Sequence, residues 1–422
     1  MFPGSSDTSS EISRRQLFRA APLLVAGAGL GLTKQALGGE QAANPERSAK
    51  ITSVQTFVLR HELKRPFGVS VSNPLDQFRD MLVVRIETDS GHVGWGETSP
   101  INGARATIDD SIGPMLKGQN PLNYRVLWRR MWGANFGNAL AVGAVDMALN
   151  DLRGKILNLS VAELFGGRLR DRIRVYASTM NYVDGTEPED HYPQDAAENL
   201  KLGFRAMKMR LGRYSVAREK KIVEAVRGVV GPDVLLMTDG NGGYTMESAV
   251  RMGHVLKEFD FECFEEPLPQ SPKYAGYEEL RRRLPLSLAG GEALDSRGNA
   301  KELIDRRTFD IIQPDISLCG GFGEVLFIAE MAALSGIRCI PHCWGSDILI
   351  AATAQLVSLL PDPHWGLPTD SPLLELDQSE NPWRNGLSPG LFNVTEGQID
   401  VPRGPGLGIQ VDEKMIQEFS VG

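Results

Sequence analysis

Cysteine is scarce in this chain. Four residues, Cys263, Cys319, Cys339 and Cys343, occur among 422. None has Cys-x-x-Cys spacing, which argues against a structural zinc site. A basic excess is missing too: the net charge is −8. Acidic and basic residues are mixed along the chain, so no basic face points to nucleic acid. The uncharged apolar run at residues 20–32 is thirteen residues long, too short to span a bilayer. What remains, 42% hydrophobic and 23% charged residues, is the composition of a soluble globular protein long enough for two domains.

The first residues differ from the rest. Ser13-Arg14-Arg15-Gln16-Leu17-Phe18-Arg19 precedes the short apolar run, and this pairing has the form of a twin-arginine export signal. A disordered basic leader is the alternative. Residues 1–48 are therefore set apart from the fold as signal and linker. The expected location is periplasmic or secreted, with no membrane insertion once the signal is removed. A protein exported by that route folds first in a reducing compartment, so free thiols are expected. Cys319 and Cys343 are the one pair to check for a disulfide.

Residues 51 to about 97 alternate as strands do, with Asp89-Ser90-Gly91 as a hairpin turn. Helical periodicity follows through an Ala-rich stretch beginning near Asn138, and Gly166-Gly167 ends the segment. Residues 49–168 thus read as an α+β domain. From Ile173 onward, short β-rich runs alternate with amphipathic helices. Polar residues close these runs at Ser178, Lys208, Asp239, Glu265, Glu292, Asp315, His342 and Glu375, with gaps of 23 to 33 residues. Each gap holds one strand, one helix and two loops. Eight such units predict a closed (β/α)₈ TIM barrel over residues 169–384, whose catalytic groups come from strand C-termini. A doubly wound open sheet is the competitor, but no glycine-rich phosphate loop follows the first strand.

Asp239, Glu265 and Glu292 close three consecutive strands. Neighbouring strands lie about 5 Å apart, so three carboxylates converge and repel unless a hard divalent cation joins them. All-oxygen ligation favours Mg²⁺, with Mn²⁺ possible. Three separate salt bridges to barrel arginines are the plainer alternative. Asp315 and His342 close the next two strands, an arrangement that holds a histidine base in one tautomer. Lys208 and Arg210 share one strand face and bring two cations beside the carboxylates. They either balance the acidic cluster or favour an anionic intermediate, and the two roles are compatible.

Together these segments resemble the enolase superfamily, in the mandelate racemase-like branch of the mandelate racemase/muconate lactonizing enzyme family. The matching pieces are Gly94-Trp95-Gly96-Glu97, Ala144-Val145-Asp146 with Asp151-Leu152 and Gly154-Lys155, and Leu164-Phe165-Gly166-Gly167. Further on come Asp239-Gly240-Asn241, Phe264-Glu265-Glu266-Pro267, Gly291-Glu292, Gln313-Pro314-Asp315, Pro341-His342 and Gly404-Pro405-Gly406-Leu407-Gly408. The resemblance implies a modified barrel with an α+β N-terminal capping domain, completed by a C-terminal segment over residues 385–422. It implies Mg²⁺ on Asp239, Glu265 and Glu292, and a small-molecule carboxylate substrate such as a sugar acid. Sites of this superfamily are known for pairing a Lys or His base with Mg²⁺. His342 with Asp315 corresponds to the His–Asp dyad, and Glu375 to the acid that hydrogen-bonds the substrate carboxylate. Ser178 and Asn241 become candidate substrate contacts. Loop residues for specificity fall in 61–77 and at Asn135-Phe136, and a symmetric homo-oligomer is expected.

One departure bears on chemistry. The branch commonly carries Lys-x-Lys on the second barrel strand, whereas this chain has Lys208-Met209-Arg210. A guanidinium stays protonated at any working pH, so a two-base racemisation lacks its second base. Dehydration to a 2-keto-3-deoxy acid needs one base, either His342 or Lys208, and is the favoured expectation. Racemisation or epimerisation, and cycloisomerisation of a related acid, are the alternatives.

Overall fold

The computed structural model describes residues 48–134, 138–362 and 371–422. The twin-arginine segment and the Asn135-Phe136 loop lie outside these residues. The N-terminal sheet forms from β1 (Ile51–Gly68), β2 (Asp76–Thr88) and β3 (Val93–Thr98). β1 and β2 run antiparallel with Leu59 opposite Met81. β2 and β3 are joined by the expected hairpin, where Gly91 takes a φ of 80° that suits glycine. A 19-residue helix, Ala139–Leu157, packs on β3; Asn138 caps its start by accepting from the Ala141 N–H at 3.2 Å. The approach is close enough to demand glycine on the strand. A Cβ at Gly96 would stand 2.0 Å from the Ala144 carbonyl oxygen, and one at Gly94 2.2 Å from that of Ala148.

The second sheet is the expected parallel one. Its members are β4 (Arg172–Ser178), β6 (Ala206–Arg210), β7 (Leu235–Asp239), β8 (Phe261–Glu265), β9 (Ser287–Gly290), β10 (Ile311–Ile312), β11 (Arg338–Cys339) and β12 (Leu373–Asp377). Between the first two, β5 (Tyr182–Val183) pairs with the end of β1 instead, Tyr182 opposite Gly68. The order is β11-β10-β9-β8-β7-β6-β4-β12, and β12 pairs parallel to β4. The last strand of the parallel set thus returns to the first, as a curling barrel requires and an open doubly wound sheet does not. Tyr176, Ala206, Met237, Cys263, Ala289, Ile311, Ile340 and Leu373 form one buried cluster. Each belongs to a different barrel strand or the residue just after it, which makes this the layer that plugs the interior. Every residue of β6 is buried, the mark of a strand covered on both faces.

The chain end touches both sheets. β13 (Gln398–Asp400) lies antiparallel to β4, Ser420 bridges to Leu59, and the Val421 N–H donates to the Val58 carbonyl at 2.8 Å. All four cysteines are free and buried, so Cys319 and Cys343 do not form a disulfide. No helix among the described residues is long and apolar enough to cross a membrane.

Candidate active site

The polar groups expected at strand ends do gather at the C-terminal mouth of the barrel, with three adjustments of position. Lys208 sits mid-strand, and Arg210 ends β6. Glu292 lies two residues beyond β9, after Gly291 turns the chain at a φ of 109°. Asp315 and His342 each lie three residues beyond strands that are only two residues long. Loops, rather than strand ends, therefore aim the last three groups.

Asp239, Glu265 and Glu292 each bring a carboxylate oxygen within 4.8 Å of the other two. The donor set fits a hard divalent cation: all oxygen, from three adjacent strands, with two of the three residues buried. Burial, reinforced by the Glu265 charge, pushes the Asp239 carboxyl up to about 7 in spite of Arg210 and Lys208. Negative charge is thus under-compensated at this point, which a cation corrects.

Lys208 is fully buried. Its Nζ donates to Glu265 Oε1 and Oε2 at 2.9 and 3.0 Å and pairs with Glu375 Oε1 at 2.9 Å. Burial alone would lower the ammonium, but Glu265 and Glu375 outweigh it and raise it above its ordinary range. Glu375 moves the opposite way. Burial would raise it, yet Lys208, His342 and Arg210 hold it well below the usual carboxylate range. Arg210 pairs with Asp239 and donates to Asn241 Oδ1 at 3.1 Å.

His342 Nδ1 lies 2.7 Å from Asp315 Oδ2, and Asp315 Oδ1 accepts from the Ser317 N–H and hydroxyl, both at 2.6 Å. That clamp assigns the Nδ1 proton to the Asp315 side and leaves Nε2 toward Glu292 Oε2, 3.4 Å away. Burial lowers the imidazole, but the Glu292 charge and the Asp315 bond win and push it up to about 10.

A cavity of about 450 Å³ opens above these groups, between barrel loops and the N-terminal sheet. Arg210, Asn241, Glu292, Asp315 and His342 line it. Lys208, Asp239 and Glu375 are buried completely, and so is Ser178, which accepts from Arg210 Nη2 at 3.5 Å. Ser178 was expected to touch substrate; here it supports Arg210 from below.

Several neighbours carried no readable signal in the sequence. Gln313 Nε2 donates to Glu265 Oε2 at 2.8 Å, and Gln270 Nε2 donates to Glu292 Oε1 at 3.1 Å and to Glu266. Trp344 receives the guanidinium groups of Arg79 and Arg210 at 5.1 and 5.2 Å from its ring centre. Gln313 stands inside a recognisable motif and Gln270 follows Glu266 by four residues; Trp344 and the arginines on its ring come from distant elements.

Glu97 ties β3 to the loop that follows His342. It accepts from the Ser346 N–H at 2.9 Å, the Ser346 hydroxyl and the Leu349 N–H at 3.2 Å. Burial pushes it up to about 7 despite those donors. The unfolded chain releases this proton near the ordinary value of 4.5, whereas the folded protein keeps it until about 7. Stability contributed here is therefore lost as pH rises through that window, by up to about 3 kcal/mol. Urea titrations at pH 5 and pH 8 should show a smaller decline in Glu97→Gln than in the wild type. An equal decline would place the titration elsewhere.

Comparison with known proteins agrees with this architecture. Residues 52–166 match the mandelate racemase/muconate lactonizing enzyme N-terminal domain, and residues 192–415 match the enolase C-terminal domain-like family. A D-galactarolactone cycloisomerase of Agrobacterium fabrum is 35% identical over 377 residues, covering 88% of this chain and 98% of that protein. An arabinonate dehydratase of Saccharolobus solfataricus is 29% identical over 349 residues, 81% of this chain and 90% of the other. The crystal structure of the 3,6-anhydro-D-galactonate cycloisomerase from Zobellia galactanivorans superposes with a TM-score of 0.78 at 32% identity, covering 88% of this chain and all of that one. Sequence motifs, barrel order and these relatives converge: the chain belongs to the mandelate racemase/muconate lactonizing enzyme family of the enolase superfamily.

Proposed function

We propose that this chain is a Mg²⁺-dependent enzyme, Mn²⁺ being an acceptable substitute, that removes the α-proton of a sugar acid and expels the oxygen on the neighbouring carbon. The observation that carries the reading is a single clamped base. His342 is fixed by Asp315 at 2.7 Å, while the position of a second base holds Arg210. A cation on Asp239, Glu265 and Glu292 would neutralise the substrate carboxylate and the charge that develops on it as the proton leaves.

The chain's own groups supply the rest. His342 Nε2, freed once a cation on Glu292 offsets the charge that most raises the imidazole, takes the proton from C2, and the electrons of that bond form the enediolate. Lys208 and Arg210, both charged and buried, stabilise that dianion from the β6 side. Lys208 is a poor base, because Glu265 and Glu375 hold its proton. The enediolate electrons then form the C2–C3 double bond and break C3–O. The proton on His342 goes to the departing oxygen, so water leaves and the enol tautomerises to a 2-keto-3-deoxy acid.

A cycloisomerase is the second reading, favoured by the two relatives with that activity at 35% and 32% identity. The steps are the same, except that the departing oxygen belongs to a ring and stays on the product, as a hydroxyl from an anhydro ring or as a carboxylate from a lactone. Arg14 and Arg15 support export as part of the proposal. The test is a panel of aldonic acids, their lactones and anhydro forms, assayed for 2-keto acid with Mg²⁺ and with EDTA. Metal-dependent product from at least one acid is expected; product that persists in EDTA contradicts the reading.

A further inference from the structure

The cavity wall away from the carboxylate cluster is mostly apolar, with Leu63, Phe67, Phe78, Met81, Ile101 and Leu318. Its charges are few, and nearly all are spoken for. Arg79 is buried and pairs with Asp377 at 2.7 Å while donating to Ser379 Oγ at 2.9 Å. Asp80 takes both donors of Arg60, at 2.8 and 2.7 Å. Arg210 is held by Asp239, and His342 stands between Asp315 and Glu292. Asp76, at the start of β2, lines the same cavity. Its carboxylate has no hydrogen bond or ion pair among the described residues, and partial burial raises it above the ordinary value.

Resting on the functional reading above, we infer that the substrate carries one carboxylate, with a neutral hydroxylated or cyclic far end, and that Asp76 enforces this choice. A second carboxylate entering the cavity would meet an apolar wall, no unpaired cation among the described lining residues, and the Asp76 charge. Moving an anion from water to such a wall without a partner is costly. A like charge nearby turns that cost into discrimination, which is the repulsive half of specificity. Sugar hydroxyls, by contrast, are donors that a free carboxylate accepts well. The far end is therefore read by what it lacks as much as by what it offers.

The test compares acids that differ only in oxidation of C6, gluconate with glucarate and galactonate with galactarate, on the wild type and Asp76→Asn with Mg²⁺. The monocarboxylate should be favoured in kcat/KM by tenfold or more, and Asp76→Asn should shrink that ratio at least threefold. A dicarboxylate used equally well by the wild type, or a ratio unchanged in Asp76→Asn, overturns the inference. Calorimetric binding of the same pairs to the Mg²⁺-loaded His342→Asn protein gives the ratio without turnover. Failure of every acid to react then counts against the functional reading, while the binding ratio still decides this one. No binding of either class overturns both.

Discussion

Replacing His342 by Asn should lower kcat by about 10²–10⁴-fold, the range for losing a positioned general base, while Mg²⁺ binding and the fold persist. The side chain is well suited to this test. It touches Asp315 and Glu292 but is not one of the three converging carboxylates. An asparagine amide can still donate to Asp315, so the buried acceptor need not be orphaned. The measurement pairs turnover of whichever acid yields a 2-keto acid with calorimetric Mg²⁺ binding. Turnover within a few-fold of wild type would remove His342 from the chemistry and return attention to Lys208. That alternative is disfavoured by geometry, because Lys208 is clasped by Glu265 and Glu375 and does not line the cavity.

Glu292→Gln should be the second large effect, through the metal rather than the base. Glu292 is the most exposed of the three carboxylates, at 22% of its side chain, and a glutamine still accepts from Gln270. The fold should therefore tolerate the change. The cation site loses one of three charged oxygens, and affinity should fall by more than the roughly 10–100-fold typical of losing a supporting contact. The readout need not involve catalysis. Mg²⁺ at a hundred times its Kd should stabilise the wild type by about 2.7 kcal/mol, seen as a rise in Tm, and the variant should gain much less at the same concentration. An equal rise in both proteins would place the cation elsewhere.

The barrel was legible because each strand, helix and pair of loops consumes a similar length of chain, and because each repeat closes on a polar residue. Asp239 and Glu265 could be placed on that ground alone, since β7 and β8 are five-residue strands that end on them. Glu292, Asp315 and His342 follow the same spacing but lie two or three residues beyond their strands. Their strands are short, so loop turns carry the side chains the remaining distance. Ser178 differs. Register put it at the mouth, but being at a strand end does not say whether a side chain faces the cavity or lies under an arginine. Trp344 and Arg79 carry no local signal because their partners are far away in sequence, as in the Arg79 pair with Asp377. No local periodicity encodes such contacts. The four cysteines are free and buried, and Cys263 has a local reason for it, being part of the layer that fills the barrel.

Under the proposed reading, Arg210 in place of a second lysine leaves one base at the site, and one-base and two-base outcomes differ atom by atom. The most direct measurement is proton NMR of a reacting acid in D₂O with Mg²⁺. Elimination through a single base predicts a 2-keto acid carrying deuterium at C3, formed only with the metal. Deuterium at C2 of an acid that keeps its C3 oxygen, with no 2-keto acid formed, would contradict the account.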